Sequence, residues 1–188
     1  MQALKLLVLG PVGVGKTTIS NFLAEATEIP YEYDPTQGVR ILEFEAKNIT
    51  VKNKVHKADI ELWDCSGDSK FKNCWPAMKK DVKGVIFVHG PKSQDKSREM
   101  EQFYEYFVNQ TKLGPKSCLL LYYDPENSSE MPKKLWPNFA KMSQISCNLE
   151  EDGNKLKIDF QAYISALLTK LQETTDQEEI NIVNSILT

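Results

Sequence analysis

The chain is poor in the features that mark secreted, membrane-spanning or nucleic-acid-binding proteins. It has four cysteines in 188 residues, Cys65, Cys74, Cys118 and Cys147. None is spaced as a C-x-x-C metal knuckle, and a chain of this length needs no disulfides to fold, so a reducing compartment is expected. Its longest uninterrupted apolar run, residues 118–123, is far short of the roughly 20 residues that cross a bilayer. Residues 1–5 carry no charged leader of the kind that precedes secretion. Charge of one sign is scarce too: 23 Lys and Arg against 26 Asp and Glu leave a net charge of −3. With no basic block to track a phosphate backbone, nucleic acid is not an expected partner. The acidity is local, because Glu173, Asp176, Glu178 and Glu179 fall in residues 172–188 with no Lys or Arg among them, leaving residues 1–171 near neutral. The two histidines, His56 and His89, have no second ligand at metal spacing.

What is present reads as one folded domain over residues 1–171 followed by the acidic tail. Residues 4–9 are a strand-length apolar run. A glycine-rich turn follows, then residues 17–26, whose Ile19, Phe22, Leu23 and Ala26 recur at helical spacing. Residues 39–45 and 58–63 read as paired strands, and the polar residues 46–57 between them as a solvent loop. Residues 84–88 and 118–123 are continuous apolar runs, the pattern of strands covered on both faces of a mostly parallel sheet. Residues 97–110 place Met100, Phe103, Tyr104 and Phe107 on one helical face, and residues 159–171 do the same with Phe160, Tyr163, Ile164, Leu167 and Leu168. Strands alternating with helices predict a three-layer α/β domain. Residues 124–137 read as an exposed loop. In the tail, Ile180, Val183 and Ile186 or Leu187 recur at helical intervals, which fits either a short amphipathic helix or a frayed end.

One motif carries chemistry. Gly10-Pro11-Val12-Gly13-Val14-Gly15-Lys16-Thr17 matches G-x-x-x-x-G-K-[ST], between an apolar strand and a helix. Such a loop turns successive N–H groups toward a phosphate at a helix N-terminus, adds the Lys16 charge, and offers the Thr17 hydroxyl to Mg2+. The predicted nucleotide contacts are Gly10, Val12, Gly13, Val14, Gly15, Lys16, Thr17 and Thr18. A P-loop alone does not separate an NTPase, a switch and a small-molecule kinase.

Further residues narrow the choice. Tyr33-Asp34-Pro35-Thr36 follows one helix downstream, and Asp64-Cys65-Ser66-Gly67 ends the next strand as D-x-x-G. With these the chain resembles the small Ras- and Rab-like GTPases, which implies a P-loop NTPase fold with a mostly parallel six-stranded sheet, and GTP or GDP with Mg2+ as ligands. The resemblance makes Thr17 and Thr36 Mg2+ ligands, Asp64 an anchor of that ion, and the Gly67 amide a γ-phosphate contact. The position after Gly67, usually a water-orienting glutamine, holds Asp68. An ionised Asp is shorter, donates no hydrogen bond and repels the γ-phosphate, so hydrolysis is expected to be slow or absent; Val12 adds crowding. The N/T-K-x-D that reads guanine is replaced by Tyr123-Asp124-Pro125-Glu126. Glu126 takes the carboxylate position, with Asp124 as the alternative and an unliganded loop acid as the competing reading of both. Ile29 replaces the aromatic that covers the base. Ser146-Cys147-Asn148 stands where relatives have a Ser-Ala-Lys loop, so Ser146 and Cys147 are further candidate contacts.

Residues 35–45 (Pro-Thr-Gln-Gly-Val-Arg-Ile-Leu-Glu-Phe-Glu), residues 61–68, Lys70-Phe71 and Cys74-Trp75-Pro76-Ala77 resemble a narrower group, the Rab-like GTPase subunits of intraflagellar transport complexes. That resemblance implies a GTP-supported adaptor in cilium or flagellum assembly. It implies coiled-coil subunits of the B complex as partners, and a location in the cytoplasm and the cilium, including its base. Position 2 is Gln and the last cysteine is Cys147, so no lipid anchor is expected. Phe71, Trp75, Val39 and Ile41 are candidate anchors for a partner, or simply pack the switch and the sheet. The alternative is an ordinary Rab-type switch with timed hydrolysis in vesicle transport.

Overall fold

In the computed structural model, residues 3–26, 35–93, 95–111, 113–127 and 137–186 are described. β1 (Leu4–Leu9) is buried along its whole length, which the alternation of its side chains explains: Leu4, Leu6 and Val8 enter one apolar cluster and Leu7 and Leu9 another, on the opposite face of the sheet. β4 (Gly84–His89) and β5 (Cys118–Tyr123) divide their residues the same way. With β2 (Val39–Val51), β3 (Lys54–Cys65) and β6 (Ser143–Cys147) they form a six-stranded sheet in the order β2-β3-β1-β4-β5-β6. Every neighbouring pair is parallel except the β2–β3 hairpin. α1 (Lys16–Leu23) and α4 (Leu149–Ile186) cover one face. α2 (Trp75–Lys79) and α3 (Ser97–Tyr104) cover the other, α3 continuing as a π-helical turn over Glu105–Asn109. This is the three-layer α/β architecture expected from the sequence.

The polar segment 46–57 is not a loop. β2 and β3 continue through it and turn at Lys52 and Asn53, both with positive φ (47° and 61°), as a two-residue hairpin turn requires. Two things hid the strands. Only alternate residues face inward, Ala46, Ile49 and Val51 being buried while the lysines point out, and such lysines protect an edge strand. A bulge between Ala46 and Ile49, with Asn48 at φ 59°, interrupts the alternation. The hairpin tip is gripped by α4: Ser165 Oγ accepts from Thr50 N at 3.1 Å, Gln161 Nε2 donates to Lys47 O at 3.2 Å, and Lys52 pairs with Asp176 at 2.8 Å.

Two helices differ in extent from expectation. α1 ends at Leu23, and Glu25 turns into the left-handed region (φ 51°). α4 begins ten residues earlier than residue 159 and runs unbroken through residues 172–186. Gly153 lies within it because the Phe22 ring would be 2.9 Å from any Cβ there, so glycine marks close helix-to-helix packing rather than a stop. Trp75 packs against the rings of Phe103, Tyr106 and Phe107 with centroids 5.0–5.6 Å apart. Of the proposed loop 124–137, only residues 124–127 and 137 lie within the described residues.

His89, at the end of β4, is 3% exposed, and burial lowers its pKa from 6.5 to about 4. The unfolded chain therefore binds a proton that the folded one does not between those pH values. Its contribution is present above pH 6.5 and lost as pH falls toward 4, by roughly 3 kcal/mol at 1.36 kcal/mol per pH unit. Thermal melts are expected to show this acid loss in the wild type and a smaller one in His89→Phe.

Candidate functional site

The site lies at the C-terminal ends of the parallel strands, where loops leave a sheet whose body is sealed by helices. β1 hands over to residues 10–15, which turn back before α1. Two of the glycines there have no alternative. Gly15, at φ 92°, has the Tyr123 ring 2.4 Å from any Cβ, and Gly10 has the Val88 carbonyl oxygen at 2.2 Å. At Gly13 (φ 79°) nothing lies within 4 Å of a Cβ: that side of the loop opens on a cleft of about 790 Å³. Val12, Gly13, Gly15, Lys16, Thr17 and Thr18 line its floor.

Lys16 reaches back along the loop, its Nζ donating to Gly10 O at 2.9 Å and Pro11 O at 2.7 Å. It is buried, and desolvation lowers its pKa to about 8 against the opposing pull of Asp64. A desolvated ammonium whose hydrogen bonds among the described residues go to neutral carbonyls has an unmet demand for an anion. Asp64, at the end of β3, is wholly buried. Its Oδ2 accepts from the Thr17 hydroxyl at 2.8 Å and the Thr36 hydroxyl at 3.5 Å, and the two threonine oxygens are 3.1 Å apart. Its Oδ1 has no hydrogen-bond partner among the described residues. Burial raises the Asp64 pKa, with the Thr17 hydrogen bond, Arg40 and Lys16 working against the rise. Two hydroxyls and a carboxylate with an unused oxygen, all hard oxygen donors, fit Mg2+. Residues 17, 36 and 64, far apart in sequence, thus meet at one point.

Gly67 sits against the P-loop: a Cβ there would be 2.5 Å from Gly10 O and 2.7 Å from Val12 N. The next residue, Asp68, faces the cleft edge, but its carboxylate caps the 3-10 turn Ser69–Cys74 by accepting from Lys70 N at 2.9 Å and pairs with Lys70 Nζ at 3.2 Å. The Lys70 backbone hydrogen bond, then its side chain, lowers the Asp68 pKa; the group is an anion already engaged.

The other expected contacts fall outside the cleft. Val14 turns its side chain into the core, and Gly10 lies beneath the loop. Glu126 is exposed at a turn in which its own N–H donates to Asp124 Oδ1 at 3.2 Å. Ser146 and Cys147 belong to β6 rather than a loop; Cys147 is buried and pairs with Tyr123. Ile29 lies outside the described residues. The far end of the cleft is instead lined by Phe22, Ala26, Leu149 and Lys157, with Lys157 Nζ 5.4 Å from the centre of the Phe22 ring and 2.6 Å from Glu25. Sequence reading passed over Phe22 and Ala26 because their helical spacing read as core, and over Leu149 and Lys157 because the helix was expected to begin only at residue 159. It also passed over Arg40, which pairs with Asp64 at 3.4 Å; counting register back from the hairpin turn finds it only once the bulge is included.

Residues 5–123 match the family described as the Ras of Complex, Roc, domain of DAPkinase. Intraflagellar transport protein 22 homologs from Homo sapiens and Mus musculus are 39% and 40% identical over 185 residues, covering 97% of this chain and all of theirs. A crystal structure described as T. brucei IFT22/74/81, GTP-bound, superposes with a TM-score of 0.72 at 26% identity, over 93% of this chain and 99% of that one.

Proposed function

Because the chain belongs to the intraflagellar transport protein 22 family, with a Roc-type small-GTPase domain, we propose that it is a GTP-supported adaptor that splits its nucleotide slowly. It binds GTP and GDP, and it belongs to intraflagellar transport and so associates with the cilium or flagellum. The observation that carries the nucleotide reading is the buried Lys16 ammonium, hydrogen-bonded among the described residues to two carbonyls beside the converging Thr17, Thr36 and Asp64.

In this reading the P-loop amides and Lys16 hold the phosphates, Thr17 and Thr36 supply oxygens to Mg2+, and Asp64 orients both hydroxyls. When bound, Mg2+ supplies charge neutralisation at the phosphate oxygens. The backbone of Gly67, close against the P-loop, is placed to sense a third phosphate. The base enters the Phe22 and Leu149 end of the cleft. Glu126, at an exposed turn, and Ser146 and Cys147, at the end of β6, remain further candidates for it. Asp68 supports slow hydrolysis: an anion fixed by Lys70 neither donates to an attacking water nor tolerates a phosphate nearby. The adaptor role is supported by β2, an edge strand that leads directly from Thr36 and leaves Ile41 47% exposed. The partners we propose are coiled-coil subunits of the B complex, reached from the cytoplasm and the ciliary base. The T. brucei relative was solved in an IFT22/74/81 complex.

One experiment tests both halves. Nucleotide in the purified protein is identified by mass spectrometry and followed through a single-turnover incubation. Unsplit GTP is expected to persist in the wild type, while Asp68→Gln is expected to split it at least about tenfold faster, within the range a positioned proton-transfer group supplies. Rapid cleavage by the wild type would replace the adaptor with a timed Rab-type switch.

A further inference from the structure

The P-loop, the threonines and the switch turn leave one arrangement at the site unexplained. Arg40 stands opposite Asp64 in the antiparallel β2–β3 ladder, so the two side chains leave the sheet on the same face. Its Nη2 lies 3.4 Å from Asp64 Oδ2 and donates to Asn21 Oδ1 on α1 at 2.5 Å. A single cation therefore joins the three elements that carry the site: α1 with Thr17, β2 leading from Thr36, and β3 with Asp64. The bulge sets this up. Residues 49–51 pair with 54–56 one step out of register with residues 39–46. An uninterrupted ladder would put Arg40 opposite Cys65, on the other face from Asp64.

The contact is built to be given up. It is longer than the roughly 2.8 Å of a charge-assisted hydrogen bond. Arg40 Nε has no partner among the described residues, and the side chain is 37% exposed beside a carboxylate that is wholly buried. The carboxylate in turn keeps Oδ1 unpaired among the described residues. A buried anion with an open oxygen, faced by a half-exposed cation held through one nitrogen, can exchange that cation for another.

We infer that Arg40 is an internal stand-in for the divalent cation: it balances Asp64 and ties α1 to the β2–β3 pair in the ion-free protein, and yields to Mg2+ when the ion arrives. The inference rests on the nucleotide reading above. Arg40 is a positioning residue, acting through Asp64 and Asn21. Its removal has two consequences of opposite sign. Losing a positive charge beside the ion site tightens Mg2+ binding, and losing the tether weakens the hold of the ion-free protein on nucleotide.

Both signs are read in one experiment, the release of a fluorescent GDP from the full chain across a Mg2+ titration that ends in EDTA. Arg40→Ala is expected to reach half-maximal retention at about fivefold lower Mg2+, the size of a unit-charge interaction several ångströms away at an effective dielectric of about 20 with partial screening. In EDTA it is expected to release GDP about tenfold faster than the wild type, as loss of a charge-assisted tie between elements implies. Arg40→Lys, which keeps the charge, is expected to keep the wild-type Mg2+ dependence. An unchanged or weakened Mg2+ dependence in Arg40→Ala would make Arg40 an ordinary structural ion pair and overturn the inference. Should Arg40→Ala fail to fold, Arg40→Gln against Arg40→Lys makes the same charge comparison. Failure of the wild type to bind GDP at any Mg2+ concentration would overturn the nucleotide reading itself.

Discussion

Lys16→Met is expected to lower GTP and GDP affinity by at least about a hundredfold, since truncating one partner of a buried charged pair costs roughly 2–5 kcal/mol. Its effect on the empty protein has the opposite sign. Without nucleotide the ammonium is buried among carbonyls, and desolvation holds its pKa at about 8. The charge therefore opposes folding of the empty protein below that pH. The penalty lifts as pH rises from 8 toward the unfolded value of 10.5, because the unfolded chain then binds the extra proton. Methionine has a similar length and no charge, so the empty Lys16→Met protein is expected to melt at the same temperature as the wild type or higher at pH 7.5, with the gap closing toward pH 10. Calorimetric titration with Mg-GDP, paired with melts of nucleotide-stripped protein, checks both signs. A variant that binds normally would remove the P-loop lysine from the site.

Gly67→Ala is expected to uncouple the turn that follows β3 (residues 66–68) from the P-loop. The added Cβ would stand 2.5 Å from Gly10 O, 2.6 Å from Pro11 C and 2.7 Å from Val12 N, all backbone atoms that no rotamer change can move. Either the turn or the loop must retreat, at a cost of about 2 kcal/mol as for other overpacked sites. A retreat of the turn also removes the amide placed to meet a third phosphate. Hence the preference of the variant for GTP over GDP is expected to fall, with GDP affinity little changed, alongside a melting temperature roughly 4–8 °C lower. Paired GTP and GDP titrations read the preference directly; an unaltered ratio would mean that Gly67 does not sense the third phosphate.

The parts of this protein legible from sequence are those where one residue type does one job. The P-loop was legible because its glycines and Lys16 serve only the loop, and β1, β4 and β5 because strands covered on both faces are mostly apolar, Lys5 and His89 being the exceptions. The hairpin was illegible for a physical reason: an edge pair buries one face only, Lys47 and Lys57 occupy the other, Lys52 and Lys54 stand exposed at the tip, and the bulge at Asn48 breaks the remaining alternation. Gly153 concealed the first turns of α4 because its role, making room for Phe22, is tertiary. Asp64 could be placed from its D-x-x-G spacing, whereas Arg40 could not, since its meaning comes from a cross-strand neighbour. The far end of the cleft was not legible for a related reason. Motif positions were carried along the chain to Glu126, Ser146 and Cys147, while the residues that enclose the space, Phe22, Leu149 and Lys157, come from two helices packed side by side.

The grip of α4 on the hairpin tip has a mechanical consequence for the site. Thr50, Lys47 and Lys52 are fastened to Ser165, Gln161 and Asp176 at the end of β2 farthest from Thr36. Sliding β2 along β3 would require all three attachments to break together with the ladder hydrogen bonds. The cleft therefore has a fixed wall and a hinged one, and the boundary is Gly38, whose φ of 77° marks the last residue before the ladder begins at Val39. Events at the phosphates can swing Pro35, Thr36 and Gln37 about that point, while the backbones of β2 and β3 keep their register.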